Sequence, residues 1–269
     1  MSPLHAFFGL SSLRHAGPAL SSIGAAGSTR LLRRAHRIFH RLPVELVAVV
    51  PGRVLVIAPH MDDEVIGPGG TVVRHVRAGS EVAVVFASDG GAAATGGDRE
   101  EYVTTRKTEA ALAAERMGTS IIGFLDHPDG DLCRRERELA DDLARTISDY
   151  APDQIFVPFP TDHHRDHQAT AAATAYAVRR AAWRGDVWSY EAWSPLWPNV
   201  SVDITDVVDD KVSALECHRS QVTSVNYVDA AIGLNRFRGL RVGTPLAEAF
   251  YRAPAAEFNR MCARLTGRI

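Results

Sequence analysis

The chain has 269 residues, 46% of them hydrophobic and 23% charged, with a formal net charge of -2. This is the composition of a globular protein with a buried core, and such balanced charge excludes the broad basic face that nucleic-acid binding needs. No apolar run approaches the roughly 18–20 residues of a membrane-spanning helix.

Residues 1–44 stand apart. They carry Arg14, Arg30, Arg33, Arg34, Arg37 and Arg41 and no Asp or Glu. An acid-free, Ser-containing segment resembles a transit peptide in composition, and Leu31 to His40 can form a basic amphipathic helix with weak affinity for an anionic surface. The plainer expectation is an extension that packs on or near the domain, with the domain itself over 45–269. No clean apolar core marks a secretory signal.

From Arg53 onward, apolar runs alternate with helical patterns in the βαβ manner. Strands are expected at 53–58, 81–87, 121–125, 154–158 and 187–191, where the runs are short and rich in Val and Ile. Helices are expected near 64–78, 100–117, 135–150 and 167–182; Leu139, Leu143 and Ile147 show the fourfold spacing of one helix face. A strand near 200–204, a helix near 206–219 and a short strand near 246–252 complete the chain. The fold class is α/β: a Rossmann-like, mostly parallel sheet with helices on both faces, in a single domain. Cys133, Cys217 and Cys262 are odd in number and far apart, which indicates neither disulfides nor a thiolate zinc site. A reducing compartment, the cytoplasm, is the expectation. Cys217 and His218 could be read as a nucleophile pair, but adjacent helical residues point about 100° apart.

Two strand ends carry chemistry. Val54-Leu-Val-Ile-Ala-Pro-His60-Met-Asp62-Asp63-Glu64 is an apolar run that stops in one imidazole and three carboxylates. About a hundred residues later, Phe156-Val-Pro-Phe-Pro-Thr-Asp162-His163-His164-Arg-Asp166-His167 repeats the arrangement. Open α/β sheets bind ligands just outside the carboxyl ends of their strands, and so many ionisable groups there call for a cation.

Pro59-His-Met-Asp-Asp-Glu64 resembles the (A/P)-H-P-D-D-E motif of the PIG-L/LmbE family of zinc-dependent N-acetylglucosamine deacetylases, and His164-Arg-Asp-His167 resembles its H-x-D-H motif. The resemblance spans roughly residues 53–250. It departs at Met61, where the family has proline, a change that removes turn stiffness but no ligand. It implies one catalytic Zn2+ per chain held by His60, Asp63 and His167, which matches the three ligands and open fourth position of catalytic zinc sites. It further implies Asp62 as general base and His164 as the group that stabilises the tetrahedral intermediate or protonates the leaving amine. Asp166 is expected to orient an imidazole, His163 to be a bystander, and Asp162 to orient a histidine. Glu64 can contact a ligand or merely complement a helix dipole.

Further matches mark Arg106 and Asp129 as sugar-contacting residues and His218, in a segment with Lys211, as a pocket residue. The alternative for Arg106 is an exposed helix position paired with Glu109 or Glu101. His127-Pro-Asp129 imitates the zinc motif without its second carboxylate. Trp183, Trp188, Trp193 and Trp197 crowd one stretch; sugars stack on such rings, but core packing accounts for most tryptophans.

The resemblance therefore implies hydrolytic removal of the acetyl group from a small-molecule amino-sugar substrate, with a homo-oligomer compatible. A dinucleotide-binding oxidoreductase fails, because Gly67-Pro-Gly-Gly70 lacks the G-x-G-x-x-G order and follows acidic residues. A serine hydrolase lacks its G-x-S-x-G elbow. A metal-dependent phosphoesterase and an idle sugar-binding protein remain as rivals.

Overall fold

The apolar runs condense into one sheet. In the computed structural model, which describes residues 43–94, 98–222 and 225–267, its strands are β1 (Glu45–Leu46), β2 (Arg53–Ala58), β3 (Glu81–Ser88), β4 (Ser120–His127), β5 (Gln154–Pro158), β6 (Asp186–Tyr190), β7 (Val200–Asp203) and β8 (Ala247–Pro254). Their order is β1-β7-β8-β6-β5-β2-β3-β4. β2 to β6 are parallel, β8 runs antiparallel between β6 and β7, and β1 pairs parallel with β7. The mostly parallel α/β sheet is as expected, with an antiparallel insert on one side.

The helices are α1 (Asp63–Ile66), α2 (Gly69–Arg77), α3 (Arg99–Met117), α4 (Glu136–Tyr150), α5 (Arg165–Arg180), α6 (Val208–Leu215), α7 (Arg219–Val222), α8 (Tyr227–Val242) and α9 (Ala255–Thr266). They cover both faces because each central strand is apolar on both. On β2, Val54, Val56 and Ala58 join the cluster that holds Val72 of α2, Ala113 of α3 and Leu215 of α6. Leu55 and Ile57 join the opposite cluster, with Leu139 and Leu143 of α4, Val178 of α5 and Phe258 of α9. Burying both faces is what makes such strands read as unbroken apolar runs.

The helix expected over 64–78 is two helices. Pro68 stands at the N-cap of α2, and a Cβ on Gly67 would lie 2.4 Å from the Tyr190 ring, so only glycine lets the joint pass this close. Lys211, fully buried, braces the joint by donating to Ile66 O and Gly67 O, at 3.0 and 3.3 Å, while paired with Glu248 at 2.6 Å. Glu248 accepts from Gly70 N and Thr71 N, at 2.8 and 2.7 Å, and so caps α2. The helix expected near 206–219 is shorter, and α8, α9 and β1 lie outside every expected element.

Val44 onward forms one compact unit. The extension expected over 1–44 lies almost wholly outside the described residues. No helix among the described residues is long and apolar enough to cross a membrane.

Candidate active site

Neighbouring β2 and β5 are where the strand order reverses, since β3 and β4 continue on one side and β6 on the other. Loops leaving the sheet there diverge and open a crevice. Pro59 to Asp62 follow β2, and Phe159 to His164 follow β5, so the two sequence clusters meet.

His60 Nδ1 and His167 Nε2 each lie 3.1 Å from Asp63 Oδ2. The ring of His164 sits 4.8 Å from that of His60 and 5.1 Å from that of His167, centroid to centroid. Ligand atoms of these three histidines all fall within 4.8 Å of one another. Asp63 Oδ1 and His167 Nε2 are buried and make no hydrogen bond among the described residues. Buried polar atoms are seldom left so, and two imidazoles with one carboxylate are a donor set that suits zinc. The residues present fit the cation that the resemblance implies.

A second group, His60 with Asp129 and Asp166, also has ligand atoms within 4.8 Å, but its oxygens are already engaged. Asp129 Oδ1 is 3.0 Å and Asp166 Oδ2 3.4 Å from His60 Nε2. Ala92 N donates to Asp129 Oδ2 at 3.0 Å, and Gly130 N and Leu132 N donate to the two Asp166 oxygens at 2.7 and 3.2 Å. These carboxylates accept from His60 Nε2, so that Nδ1, 3.1 Å from Asp63 Oδ2, is the nitrogen that would face a cation. Asp166 thus orients an imidazole, that of His60. Asp129 does the same, with one partner on each oxygen; since each carboxylate oxygen can accept twice, this role does not displace its expected contact with sugar. We expect Asp129→Ala to weaken metal affinity about 10–100-fold, measured by chelator competition; unchanged affinity would return Asp129 to the substrate side.

Burial alone would lower the His60 pKa, but its bonds to Asp129, Asp166 and Asp63 outweigh this and raise it well above 6.5. His167 rises to about 9, because Asp63 and Asp162 overcome its burial. Burial opposes ionisation of Asp63 too, yet His167 and His60 hold its pKa far below the usual carboxylate value. A bound cation would displace the imidazole protons and take over their attraction. Asp162 Oδ1 stands 3.6 Å from His167 Nδ1, longer than a hydrogen bond, and accepts from His164 N at 2.9 Å.

Asp62 precedes α1 with φ 151° and ψ -26°, a conformation that strains a residue with a Cβ. Its backbone N donates to Glu64 Oε2 at 2.9 Å, and the other Glu64 oxygen is 3.1 Å from His218 Nε2. Glu64 therefore serves as an internal clamp, with His218 fully buried behind it. That corrects the expectation of His218 as a pocket residue: it supports the loop from within. Arg106 is also a loop support. It is 3% exposed, donates through Nη2 to Met61 O at 2.7 Å and through Nη1 to Gly90 O at 3.1 Å, and lies 3.5 Å from Asp62 Oδ2. The alternative of pairing with Glu109 does not describe it, since Glu109 accepts from Ser220. Arg106 thereby ties the Met61 turn to the segment at Gly90.

Burial pushes the Asp62 carboxyl up, Arg106 opposes this, Asp63 adds to it, and the pKa reaches about 6. A carboxylate so tuned is matched to accepting a proton near neutrality. His164 caps α5: Asp166 N donates to its Nδ1 at 3.2 Å, which leaves the ring's proton on Nε2. Its pKa is lowered by burial and then by the neighbouring His60 and His167. His127 bonds Asp142 at 2.9 Å and takes no part in the site.

An imidazole–carboxylate set at the switch point of a Rossmann-like sheet, with a tuned carboxylate beside it, defines a class of α/β hydrolases whose His/Asp group can hold a metal. The chain belongs to the PIG-L family: residues 55–178 match the model described as PIG-L, GlcNAc-PI de-N-acetylase. It is 30% identical over 187 residues to diacetylchitobiose deacetylase of Thermococcus kodakarensis, covering 63% of this chain and 70% of that one. It is 24% identical over 241 residues to the 1D-myo-inositol 2-acetamido-2-deoxy-alpha-D-glucopyranoside deacetylase of a Mycobacterium species (strain KMS), covering 66% and 77%. Its fold superposes on N,N'-diacetylchitobiose deacetylase from Pyrococcus horikoshii with a TM-score of 0.70 at 24% identity, over 86% of this chain and 94% of that one.

Proposed function

We propose that the chain is a zinc-dependent N-deacetylase that removes the acetyl group from an N-acetylated, GlcNAc-type amino sugar, giving acetate and a free amine. The carrying observation is the junction of His60, Asp63 and His167, where Asp63 Oδ1 and His167 Nε2 are buried without a hydrogen bond, beside the strained and tuned Asp62. The curated relatives add support, since each is a deacetylase by name and one acts on an acetamido-deoxy-glucopyranoside.

His60, Asp63 and His167 would hold one zinc ion, which when bound polarises the acetamide carbonyl and acidifies water. Asp62 takes a proton from the attacking water as its oxygen bonds to the carbonyl carbon. His164, with its proton on Nε2, donates a hydrogen bond to the developing oxyanion, and the proton taken up by Asp62 passes to the amine nitrogen as the C–N bond breaks, which restores the carboxylate. The Glu64 clamp and Arg106 keep Asp62 in a conformation it would otherwise leave, so its carboxylate waits in a fixed position. The three free cysteines fit a reducing, cytoplasmic setting.

The test is a panel of N-acetylated glycosides with amine detection, run on zinc-reconstituted protein beside an acetyl-lysine peptide and a phosphomonoester. We expect deacetylation of the glycosides far above the peptide. Equal efficiency on the peptide would reduce the reading to a general amidohydrolase, and turnover of the phosphomonoester alone would replace it with a phosphoesterase.

A further inference from the structure

The four tryptophans that crowd the sequence have different fates. Trp188 is a core residue at 4% exposure, and Trp183 donates from its indole nitrogen to Pro152 O at 2.6 Å. Trp193 is 47% exposed and its ring lies 6.5 Å from that of His164, centroid to centroid. An exposed indole on a loop would ordinarily be free to swing. This one is anchored.

Trp193 N donates to Asp162 Oδ2 at 3.0 Å, while the other oxygen of Asp162 accepts from His164 N. His163 N donates to Ser194 Oγ at 2.8 Å, a second tie between the same two loops. The Trp193 backbone is thus fixed to the segment that carries His164 and His167. Its ring meets that of Tyr227 edge to face at 5.6 Å and 90°, the favoured geometry for an aromatic pair. Tyr227 arrives on α8, which is fastened to the same loop by the buried ion pair of Arg238 with Glu191 and by Arg238 Nη2 donating to Leu196 O at 2.9 Å. Burial, followed by the charges of Asp62 and Asp63, raises the Tyr227 pKa to about 12, so its hydroxyl stays a neutral donor.

We propose that Trp193 and Tyr227 form a pyranose-binding wall beside His164, with the indole as stacking face for the apolar side of the sugar ring and the tyrosine as its brace and hydroxyl donor. A flat, rigid ring that remains wet beside a reacting centre is suited to C–H faces of a sugar, which a peptide acetamide lacks. Both residues lie outside residues 55–178, where the family model matches, so the hydrolytic apparatus and the sugar-selecting wall come from different parts of the chain. This inference rests on the amino-sugar reading of the site.

The experiment measures kcat and KM of wild type, Trp193→Ala, Trp193→Phe and Tyr227→Phe on a GlcNAc-type glycoside and on an acyclic N-acetyl amino alcohol, with metal content determined for each. Trp193→Ala should raise KM for the glycoside about tenfold or more, keep its metal and leave the acyclic substrate unaffected. Trp193→Phe should recover most of the loss, which a merely structural defect would not allow. If wild type turns over the glycoside and Trp193→Ala does so with the same KM, or loses both substrates equally, the wall is wrong and the deacetylase reading stands. If wild type is inactive on every glycoside, the amino-sugar reading falls and the wall with it.

Discussion

Asp62→Asn is expected to retain its metal and lose about 10²–10⁴-fold in kcat, the usual worth of a positioned general base. The change is nearly isosteric, and the clamp from Asp62 N to Glu64 uses the backbone, so loop geometry should survive. The amide cannot accept the proton that a carboxylate with a pKa near 6 accepts. Turnover near the wild-type rate with metal retained would remove Asp62 from the reaction. A companion variant, Glu64→Gln, separates position from chemistry: it leaves the Asp62 carboxylate in place but weakens its clamp and the His218 contact, so a smaller loss in kcat with unchanged metal content is expected.

His167→Ala should abolish stoichiometric metal binding and activity together. His167 is fully buried, its Nε2 is 3.1 Å from Asp63 Oδ2, and neither ring nitrogen has a hydrogen-bond partner among the described residues. Removing the ring leaves two donors where three protein donors are needed. Metal analysis after dialysis reads the result directly. Metal bound as tightly as in wild type would overturn the ligand assignment, and two metals per chain in the wild type would overturn the single-ion reading. His164→Ala is the control, since its ligand atom is also within 4.8 Å of those of His60 and His167. It should keep metal and lose activity; loss of metal would bring His164 into the coordinating set.

The sheet was legible in the sequence because strands buried on both faces leave continuous apolar runs, and those of β2, β3 and β5 were placed within a residue of their observed ends. The motif ends were equally plain, since His and Asp seldom follow such runs without cause. Other features left no local trace. The break at Gly67–Pro68 depends on the Tyr190 ring arriving from a strand more than a hundred residues later. The apolar residues of α8 do not repeat on one face: Phe237 and Leu240 are exposed while Asn235 and Arg238 are buried, so periodicity missed the helix and Tyr227 with it. Asp129 and Asp166 converge on one nitrogen of His60 from two different loops, a meeting that no spacing encodes. Asp129, Arg106 and His218 were legible as residues of interest, but the partners the structure gives them, His60 for Asp129, Met61 and Gly90 for Arg106 and Glu64 for His218, leave no trace in the sequence.

The adjacency of β2 and β5 also governs how the protein must assemble. His60 and Asp166 are 106 residues apart, and the chain between them folds into β3, β4 and the helices that pack on them. Closing so long an excursion costs entropy before any contact across it repays the loss. The ion-binding pocket therefore cannot exist in a nascent or half-collapsed chain, and only the finished β2–β5 pairing presents both halves to a cation. A metal ion held there would be a late guest, captured during refolding only once β2 and β5 have paired.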